Sequence, residues 1–174
     1  MKQIDLKAKI EKVKILVMDI DGTLTDSSVF YSKNGEELKR FSLRDGMGIE
    51  LLHKSGIKTA FLTSENSPIV IARATKLKIG SVMVGSHNKR KSLEDFSHNI
   101  EIPLDEIAYC GDDVNDILAM EIAGFTSCPS DATEEVQKIV DLVLTKKGGM
   151  GAVRELCEII LKTQNKPITL PENW

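Results

Sequence analysis

Short apolar runs alternate with amphipathic stretches along most of the chain. The run at residues 15–18 is continuous, the pattern of a strand covered on both faces. Similar runs predict further strands at residues 58–63, 81–85, 107–110, 124–128 and 141–145. Helical spacing predicts helices near residues 45–55, 67–78, 89–98, 114–122, 132–138 and 151–163. Because strands that alternate with helices pair in parallel, we predict a Rossmann-like, three-layer α/β/α fold with a parallel sheet.

One segment departs from this alternation. Residues 28–42 carry apolar and aromatic positions on both sides of Asn34-Gly35, a dipeptide typical of tight hairpin turns. We therefore predict a small β-hairpin flap at about 28–42 within a single domain that spans residues 1–174. The segment from about 164 to 174 has no periodicity and is expected to be a loose or docked tail.

Charge and composition exclude several classes of partner. The net charge is −3 and the basic residues form no long stripe, so we expect no nucleic-acid partner. No apolar run approaches membrane-spanning length, and residues 1–14 lack the pattern of a signal peptide. Cys110, Cys128 and Cys157 lack metal-type spacing, so we expect reduced thiols in a cytoplasmic protein with no membrane partner.

Reactive side chains follow the predicted strands at their carboxyl ends. They are, in chain order, Asp19, Asp21, Thr63, Ser64, Lys89, Asp112, Asp113 and Asp116. An open parallel sheet places its ligand sites at this edge. A nucleophile, an acid/base, a hydroxyl donor, a cation and clustered oxygens are what Mg²⁺-dependent phosphoryl transfer requires. Converging carboxylates repel one another, and Mg²⁺ would neutralise them.

Some of these residues also have simpler interpretations. Asp116 could only cap the helix after residues 111–113, and Ser64 could face solvent. Lys89 opens a basic run at 89–91, and such runs are commonly solvated helix faces. The stretch 19–22 could be a fragment of a Ca²⁺ loop, but a strand precedes it and the EF-hand spacing fails.

The same residues, in the same order and strand positions, resemble the four motifs of the haloacid dehalogenase superfamily of phosphatases. The resemblance covers residues 13–145 and rests on "DIDGT", Thr63, Lys89 and "GDDVND". It implies that Asp19 attacks phosphorus and forms an aspartyl-phosphate. It implies that Asp21 protonates the leaving oxygen and then activates water. Thr63 would hydrogen-bond the transferring phosphoryl group, and Lys89 would pair with that group and with Asp19.

The resemblance also implies a metal site. Mg²⁺ would be bound by Asp19, by the main-chain carbonyl of Asp21 and by Asp112. Either Asp113 or Asp116 would support the metal through water or through contacts with its ligands. The sequence does not decide which of these two acids supports the metal.

The spacing of the motifs leaves no room for the cap domain of larger superfamily members. About 20 residues separate Thr25 from Asp45, and 25 lie between Thr63 and Lys89. The chain resembles the capless branch that includes 3-deoxy-D-manno-octulosonate 8-phosphate and nonulosonate 9-phosphate phosphatases. "NGEELKRFSLRDGMGI" and "KGGMGAVRELCEIIL" extend that resemblance to about residue 163. It implies a homotetramer whose flaps form a central barrel and whose neighbouring subunits cover each active site.

Two further segments bear on substrate recognition. "KGGMGAVRE" resembles a C-terminal piece that reaches towards an active site, although a glycine turn before a helix is a simpler interpretation. Octulosonate enzymes typically have Gly-Arg after the second motif, whereas this chain has Ser64-Glu65. Glu65, Arg73 and Lys76 resemble the set of the nonulosonate enzymes, whose basic members come from the adjacent subunit; a solvated helix face is the alternative. We predict substrate contacts for Thr23, Ser64, Glu65, Arg73 and Lys76.

We therefore expect a Mg²⁺-dependent phosphoric monoester hydrolase. Its substrate would be the terminal phosphate ester of a 2-keto-3-deoxy sugar acid. Glu65 favours a nonulosonate 9-phosphate, and the octulosonate 8-phosphate, the default of the family, is the other candidate. Alternatives are a phosphatase of another small ester, or a non-catalytic phospho-aspartate signalling or binding module. A receiver-type signalling domain needs an acidic phosphoacceptor after its third strand, and residues 81–85 offer none. The intact motif residues argue against a non-catalytic module.

Overall fold

The computed structural model describes residues 2–170 and 172, and the part described contains eight strands and seven α-helices. The strands are β1 (Ile15–Met18), β2 (Thr25–Ser32), β3 (Gly35–Phe41), β4 (Lys58–Leu62), β5 (Ser81–Met83), β6 (Ile107–Cys110), β7 (Phe125–Cys128) and β8 (Leu142–Val143). The helices are α1 (Lys2–Glu11), α2 (Leu43–Lys54), α3 (Pro68–Leu77), α4 (Lys89–Ile100), α5 (Ile117–Met120), α6 (Glu134–Ile139) and α7 (Ala152–Thr163).

Six of the strands form one parallel sheet in the order β5-β4-β1-β6-β7-β8. Alternate side chains of β1 point to opposite faces, so Leu16 and Met18 pack towards α1, α2, α3 and α7, whereas Ile15 and Val17 pack towards α4, α5 and α6. Each face of the sheet is thus covered by helices, which explains the continuous apolar runs. The predicted three-layer α/β/α fold is confirmed.

The N-terminal helix α1 is the one α-helix of the described residues that we did not predict. Leu6 and Ile10, four residues apart, pack against the core, and the charged side chains between them obscure this short apolar stripe. The tail predicted at about 164–174 includes residues 171, 173 and 174, which lie outside the described residues. Gln164 Nε2 donates to the carbonyls of Ile10 and Val13, so the start of the tail docks on the end of α1 and the turn after it.

None of the helices in the described ranges combines the length and the apolar character that crossing a bilayer requires.

The hairpin β2–β3 stands apart from the main sheet as a two-stranded antiparallel unit. The hairpin spans residues 25–41. It begins three residues before the start of the predicted range 28–42 and ends one residue before the end of that range. Val29, Phe30, Tyr31 and Leu38 are 36%, 55%, 72% and 62% exposed, so the hairpin carries an apolar surface that its own chain leaves uncovered.

Helices α2 and α7 pack closely and are tied by a buried carboxylate. Asp45 on α2 is 1% exposed and accepts from the backbone N–H groups of Gly151 at 3.2 Å and Arg154 at 2.8 Å. It therefore caps the start of α7, although more than 100 residues separate the two segments. A Cβ atom on Gly48 would lie 3.0 Å from the backbone of Arg154, which explains a glycine inside α2.

The glycine-rich segment before α7 packs on the loop that follows β1. Gly149 N–H donates to the carbonyl of Thr23 at 3.1 Å. A Cβ atom on Gly148 would lie 1.7 Å from the carbonyl oxygen of Gly22, and one on Gly149 would lie 2.5 Å from the carbonyl carbon of Thr25. Only glycines allow this approach, so residues 147–151 brace the loop after β1 in their own chain.

Candidate active site

Loops at the carboxyl edge of the sheet bring the predicted reactive side chains together. Asp19 follows β1, and its backbone N–H donates to the carbonyl of Cys110 at 2.9 Å, which continues the β1–β6 pairing. Thr63 follows β4 and is 1% exposed. Lys89 is the first residue of α4, and Asp112 lies in the loop after β6. These segments meet where the strand order reverses about β1, the usual ligand position in open α/β sheets.

The centre of the site is a buried lysine between two carboxylates. Lys89 Nζ lies 2.9 Å from Asp19 Oδ1 and 2.6 Å from Asp116 Oδ1, and its side chain is 1% exposed. A lysine at a helix N-terminus faces the unfavourable end of the helix dipole. The negative charges of Asp19 and Asp116 offset this unfavourable interaction and hold the ammonium group between them.

Asp116 is held on both of its oxygens. Oδ1 accepts from Lys89 and, at 2.7 Å, from the hydroxyl of Tyr109, whereas Oδ2 accepts from the backbone N–H groups of Asp112 at 3.0 Å and Asp113 at 3.4 Å. The side chain is fully buried, so these donors replace the water that it lost. Asp116 thus fixes the loop that carries Asp112 relative to Lys89.

The loop after β1 is shaped to receive Asp112. Gly22 has φ +88°, and a Cβ atom there would lie 1.9 Å from Asp112 Oδ2, so a side chain cannot be accommodated. The hydroxyl of Thr23 donates to Asp112 Oδ1 at 3.2 Å. The Thr23 side chain is 0% exposed and holds this carboxylate, and its contact with substrate stays a prediction.

The carboxylates of the site raise one another's affinity for protons. Burial and the nearby Asp116 raise the pKa of Asp19 to about 7, against the opposing effect of Lys89. Burial, Asp19 and Asp116 raise the pKa of Asp112 to about 8. Oxygen atoms of Asp19, Asp112 and Asp116 all lie within 4.8 Å of one another. One lysine does not neutralise the three carboxylates. A divalent cation bound by their oxygens would supply the missing positive charge.

A cavity of about 300 Å³ opens above this cluster. The hairpin, the loop after β4 and the loop after β6 form its walls. Its lining residues are Asp19, Asp21, Ser27, Val29, Tyr31, Glu36, Lys39, Thr63, Ser64, Glu65, Asp112, Asp113 and Asn115. Six of these residues are acids and one is a lysine, so the cavity as this chain builds it is strongly acidic.

Comparisons with known proteins agree with this geometry. A family model described as haloacid dehalogenase-like hydrolase matches residues 51–156. The 3-deoxy-D-manno-octulosonate 8-phosphate phosphatase of Escherichia coli (strain K12) is 36% identical over 162 residues, which cover 93% of this chain and 86% of that protein. The chain belongs to the haloacid dehalogenase-like hydrolase family.

Solved structures of family members are similar over nearly the whole chain. A Moraxella catarrhalis 3-deoxy-D-manno-octulosonate 8-phosphate phosphatase, in complex with a magnesium ion, a phosphate ion and a KDO molecule, is 38% identical with a TM-score of 0.89 and coverage of 92% of each chain. A cobalt-bound deoxy-D-mannose-octulosonate 8-phosphate phosphatase from Haemophilus influenzae is 36% identical with a TM-score of 0.88 and covers 90% of this chain and 92% of that one.

Family membership confirms the resemblance drawn from the sequence motifs and the prediction of an enzyme, a phosphoric monoester hydrolase. The prediction of Mg²⁺ as cofactor is also confirmed. The Moraxella catarrhalis relative holds magnesium, and this chain presents the acidic cluster of Asp19, Asp112 and Asp116. Carboxylate oxygens are the ligands that Mg²⁺ prefers.

Several predicted residues line the cavity of this hydrolase at its mouth. Thr63 Oγ1 accepts from the backbone N–H of Glu65 at 3.1 Å, which turns the chain after β4. Ser64 Oγ donates to the carbonyl of Ser86 at 3.1 Å, and Asn115 Nδ2 donates to Ser64 Oγ at 3.4 Å. Glu65 is exposed and also lines the cavity.

Arg73 and Lys76 do not line the cavity of their own chain. The Arg73 guanidinium lies 5.3 Å from the centre of the Phe41 ring and donates to the carbonyl of Ser42 at 3.0 Å. Lys76 is exposed beside it, in a groove between α2 and α3. Within one chain, Arg73 therefore fastens the base of the hairpin to α3, and neither residue reaches the carboxylate cluster.

The structure distinguishes Asp113 from Asp116, the two acids between which the sequence does not decide. Asp113 is exposed, and its Oδ1 accepts from the backbone N–H of Val114 at 2.7 Å, so it caps the short 3₁₀ turn Val114–Asp116. Asp116 is buried in the carboxylate cluster, and it also completes this capping box. The capping and the contact with Lys89 are therefore compatible roles of the same residue.

Sequence reasoning missed Lys39, Glu36 and Tyr109. Lys39 and Glu36 belong to the hairpin and yet line the cavity, and the side chain of Lys39 is 2% exposed. Burial opposes the charge of Lys39, but hydrogen bonds to Asp21 and Glu36 outweigh it and raise the lysine's pKa. A signal for Tyr109 was present, because a phenol in the middle of a strand covered on both faces needs a buried hydrogen-bond partner.

The raised pKa values of Asp19 and Asp112 predict a pH-dependent effect of Mg²⁺ on stability. Because the folded, metal-free protein retains protons that an unfolded Asp loses near pH 4, its stability falls from about pH 4 upwards and levels off above the folded pKa values of about 7 and about 8. Mg²⁺ replaces those protons, so the increase in melting temperature on adding Mg²⁺ should be larger at pH 8.5 than at pH 6.

Thermal melts with EDTA or with saturating Mg²⁺ at both pH values measure this difference. Each kcal/mol of stabilisation corresponds to about 2–4 °C in a chain of this size. Asp112→Asn, which removes one carboxylate of the cluster, serves as the control and should reduce the Mg²⁺ effect at pH 8.5. An equal Mg²⁺ effect at both pH values would contradict the electrostatic account.

Proposed function

We propose that this hydrolase removes the terminal phosphate of a 2-keto-3-deoxy sugar acid through an aspartyl-phosphate on Asp19. The observation that carries the proposal is the position of Asp19, at the base of an acidic cavity and 2.9 Å from the buried Lys89. The similar proteins whose names state an activity act on an octulosonate 8-phosphate, which supports the substrate class.

In the proposed first step, a carboxylate oxygen of Asp19 attacks phosphorus. The bond between phosphorus and the sugar oxygen breaks, and Asp21 donates a proton to that departing oxygen. Lys89 keeps Asp19 oriented and offers positive charge to the transferring group, and the hydroxyl of Thr63 donates to its oxygens. The products are the aspartyl-phosphate and the free alcohol.

In the proposed second step, the carboxylate of Asp21 takes a proton from a water molecule whose oxygen attacks phosphorus. The bond between phosphorus and Asp19 breaks and returns the free carboxylate together with inorganic phosphate. Asp21 ends this step protonated, ready for the next turnover, so one residue acts first as acid and then as base.

The residues proposed to hold Mg²⁺ are Asp19, the main-chain carbonyl of Asp21 and Asp112. When bound, Mg²⁺ neutralises the phosphate oxygens and lowers the repulsion between the substrate and the acids of the cavity. Asp116 supports this arrangement from behind, because it holds the backbone of Asp112 and the ammonium of Lys89 in place. We assign the supporting position to Asp116 rather than to the exposed Asp113.

Asp19→Asn tests the nucleophile. The amide cannot attack phosphorus, so turnover should fall by several orders of magnitude while the fold persists. The measurement is steady-state release of phosphate with Mg²⁺, and thermal melts report folding. Asp95→Asn, the same chemical change on the exposed face of α4, is the matched control and should keep full activity. Turnover of Asp19→Asn within about tenfold of wild type would exclude the assignment.

Two observations point to different members of the substrate class. The similar proteins of stated activity favour the octulosonate 8-phosphate as substrate. Glu65, at the cavity mouth, resembles the acid of nonulosonate 9-phosphate phosphatases. We propose the octulosonate 8-phosphate first, with the nonulosonate as the alternative, and a turnover panel that contains both esters decides between them.

The charge of the cavity supports a homotetramer that completes the site. A sugar acid brings a carboxylate as well as a phosphate, and Mg²⁺ meets the phosphate. The lysine of the cavity lining, Lys39, is already paired with Asp21 and Glu36, so cations for the substrate carboxylate have to come from elsewhere. Arg73 and Lys76 lie outside their own cavity, which supports our proposal that a neighbouring subunit provides them.

The exposed apolar residues of the hairpin are the proposed contact between subunits. Light scattering at micromolar concentration should show a tetramer. Phe30→Glu places a charge in this surface and should yield smaller species with reduced activity on the sugar acid. Leu118→Glu, on the similarly exposed face of α5, is the control and should stay tetrameric. A fully active wild-type monomer would overturn the proposal.

Charge reversal tests substrate selection at Glu65, which lies at the cavity mouth, and at Lys76, which we propose comes from a neighbouring subunit. Glu65→Arg and Lys76→Glu should lower kcat/KM for the favoured sugar acid by the equivalent of about 1–3 kcal/mol, the scale of a charge-assisted hydrogen bond. Turnover of p-nitrophenyl phosphate should change little, since this ester does not extend to the mouth.

Lys58→Glu, at the opposite end of β4, is the matched control for charge reversal and should leave both substrates unaffected. Equal losses on both substrates in Glu65→Arg would mean that this residue supports the catalytic centre instead. The choice of the nonulosonate as alternative substrate would then lose its basis.

We also propose that residues 1–174 act as one domain and that the protein works in the cytoplasm. Cys110, Cys128 and Cys157 are buried free thiols, which supports a reducing compartment. The main sheet and both helical layers draw on segments from α1 to α7, which supports a single folding unit.

A further inference from the structure

The side chain of Lys39 is buried, although most residues of the hairpin that carries it are exposed. Its Nζ lies 2.6 Å from Asp21 Oδ1 and 2.9 Å from Glu36 Oε1. The side chain is 2% exposed, whereas Leu38, its neighbour on β3, is 62% exposed. The hairpin therefore turns one cation inward, onto the residue proposed as the acid and base.

An irregularity of β3 produces this geometry. Tyr31 pairs with Glu36 and Phe30 with Leu38, so Glu37 is an extra residue that forms a bulge. In a regular strand, residues three apart point to opposite faces. The bulge brings Glu36 and Lys39 to the same face, so both reach the cavity.

The two oxygens of Asp21 have different surroundings. Oδ1 accepts from Lys39, whereas Oδ2 is buried and has no hydrogen-bond partner among residues 2–170 and 172. A buried oxygen without a partner is costly, and its retention is typical of a group that meets its partner during function. A protonated Asp21 with its proton on Oδ2 still presents Oδ1 as an acceptor, so the contact with Lys39 is possible in both protonation states.

We propose that Lys39 is a positioning residue that anchors Oδ1 of Asp21 and thereby aims Oδ2 at the oxygen that leaves phosphorus. Glu36 holds Lys39 from its other side and keeps the ammonium between the two carboxylates. The hairpin thus contributes to proton transfer as well as to the cavity wall. This inference rests on the proposed role of Asp21 in the function above.

The basicity of the leaving group provides the test. A weakly basic leaving group, such as p-nitrophenolate, departs without a proton, whereas an alkoxide needs the acid. We would measure kcat/KM, which covers the steps up to release of the alcohol, for p-nitrophenyl phosphate, phenyl phosphate and a primary alkyl phosphate. A misplaced acid should cause a loss that grows along this series, and general damage to the fold should lower all three equally.

Lys39→Met should lose less than about threefold on p-nitrophenyl phosphate and about 10–100-fold on the alkyl phosphate, the range of a general acid. Lys33→Met, at the exposed turn of the same hairpin, is the matched control and should match wild type throughout. Lys39→Arg keeps the charge and should recover part of the alkyl phosphate activity. If Lys39→Met does not fold, the double variant Lys39→Met with Glu36→Gln removes a negative charge together with the positive one and should show the same graded loss.

Asp21→Asn separates the failure of this inference from that of the proposed function. If Asp21→Asn shows the graded loss and the Lys39 variants do not, Lys39 does not position the acid and the inference is wrong. If Asp21→Asn shows no graded loss either, the acid role of Asp21 itself is wrong. A graded loss in both supports the inference.

Discussion

The buried contact of Lys89 with Asp19 and Asp116 is the interaction on which the active site depends. It joins the start of α4 to the end of β1 and to the 3₁₀ turn after β6 through atoms 2.6–2.9 Å apart. Removing the lysine would leave two largely buried carboxylates close together without their shared counter-charge, which is destabilising. Around this contact the negative charges of the carboxylates outnumber the positive charge of the single lysine. The residues that hold the loops together therefore also create the need for a divalent cation.

Much of this site could be predicted because parallel sheets collect reactive side chains at one edge. Asp19 and Thr63 directly follow apolar strands, and Asp112 follows another after one residue, so the sequence already indicates their position at this edge. The choice between Asp113 and Asp116 needed coordinates. Asp113 lies two residues and Asp116 five residues after Gly111, and both take part in a capping box. Only the contacts with Tyr109 and Lys89 show that Asp116 is the buried one.

Other features could not be predicted, because they depend on contacts between distant segments or on local irregularity. The inward position of Lys39 depends on the bulge at Glu37, since a regular strand would direct residues 36 and 39 to opposite faces. In the sequence, Asp45 is an ordinary acidic residue in the first turn of a helix. Only the packing of α7 against α2 shows that it caps the start of α7. The hydrogen bond from Thr23 to Asp112 is a similar case, because it joins residues that are 89 positions apart in the sequence.

The close approach of Gly148 and Gly149 to the loop after β1 has a consequence for biosynthesis. The loop that carries Asp21 and Gly22 leaves the ribosome early, but the backbone that supports it is made more than 120 residues later. Contacts of such large sequence separation form late, since loop closure opposes them. We therefore expect a nascent chain that ends before residue 148 to have its central strands available for pairing but to lack an ordered catalytic loop, so that activity appears only when synthesis is nearly complete.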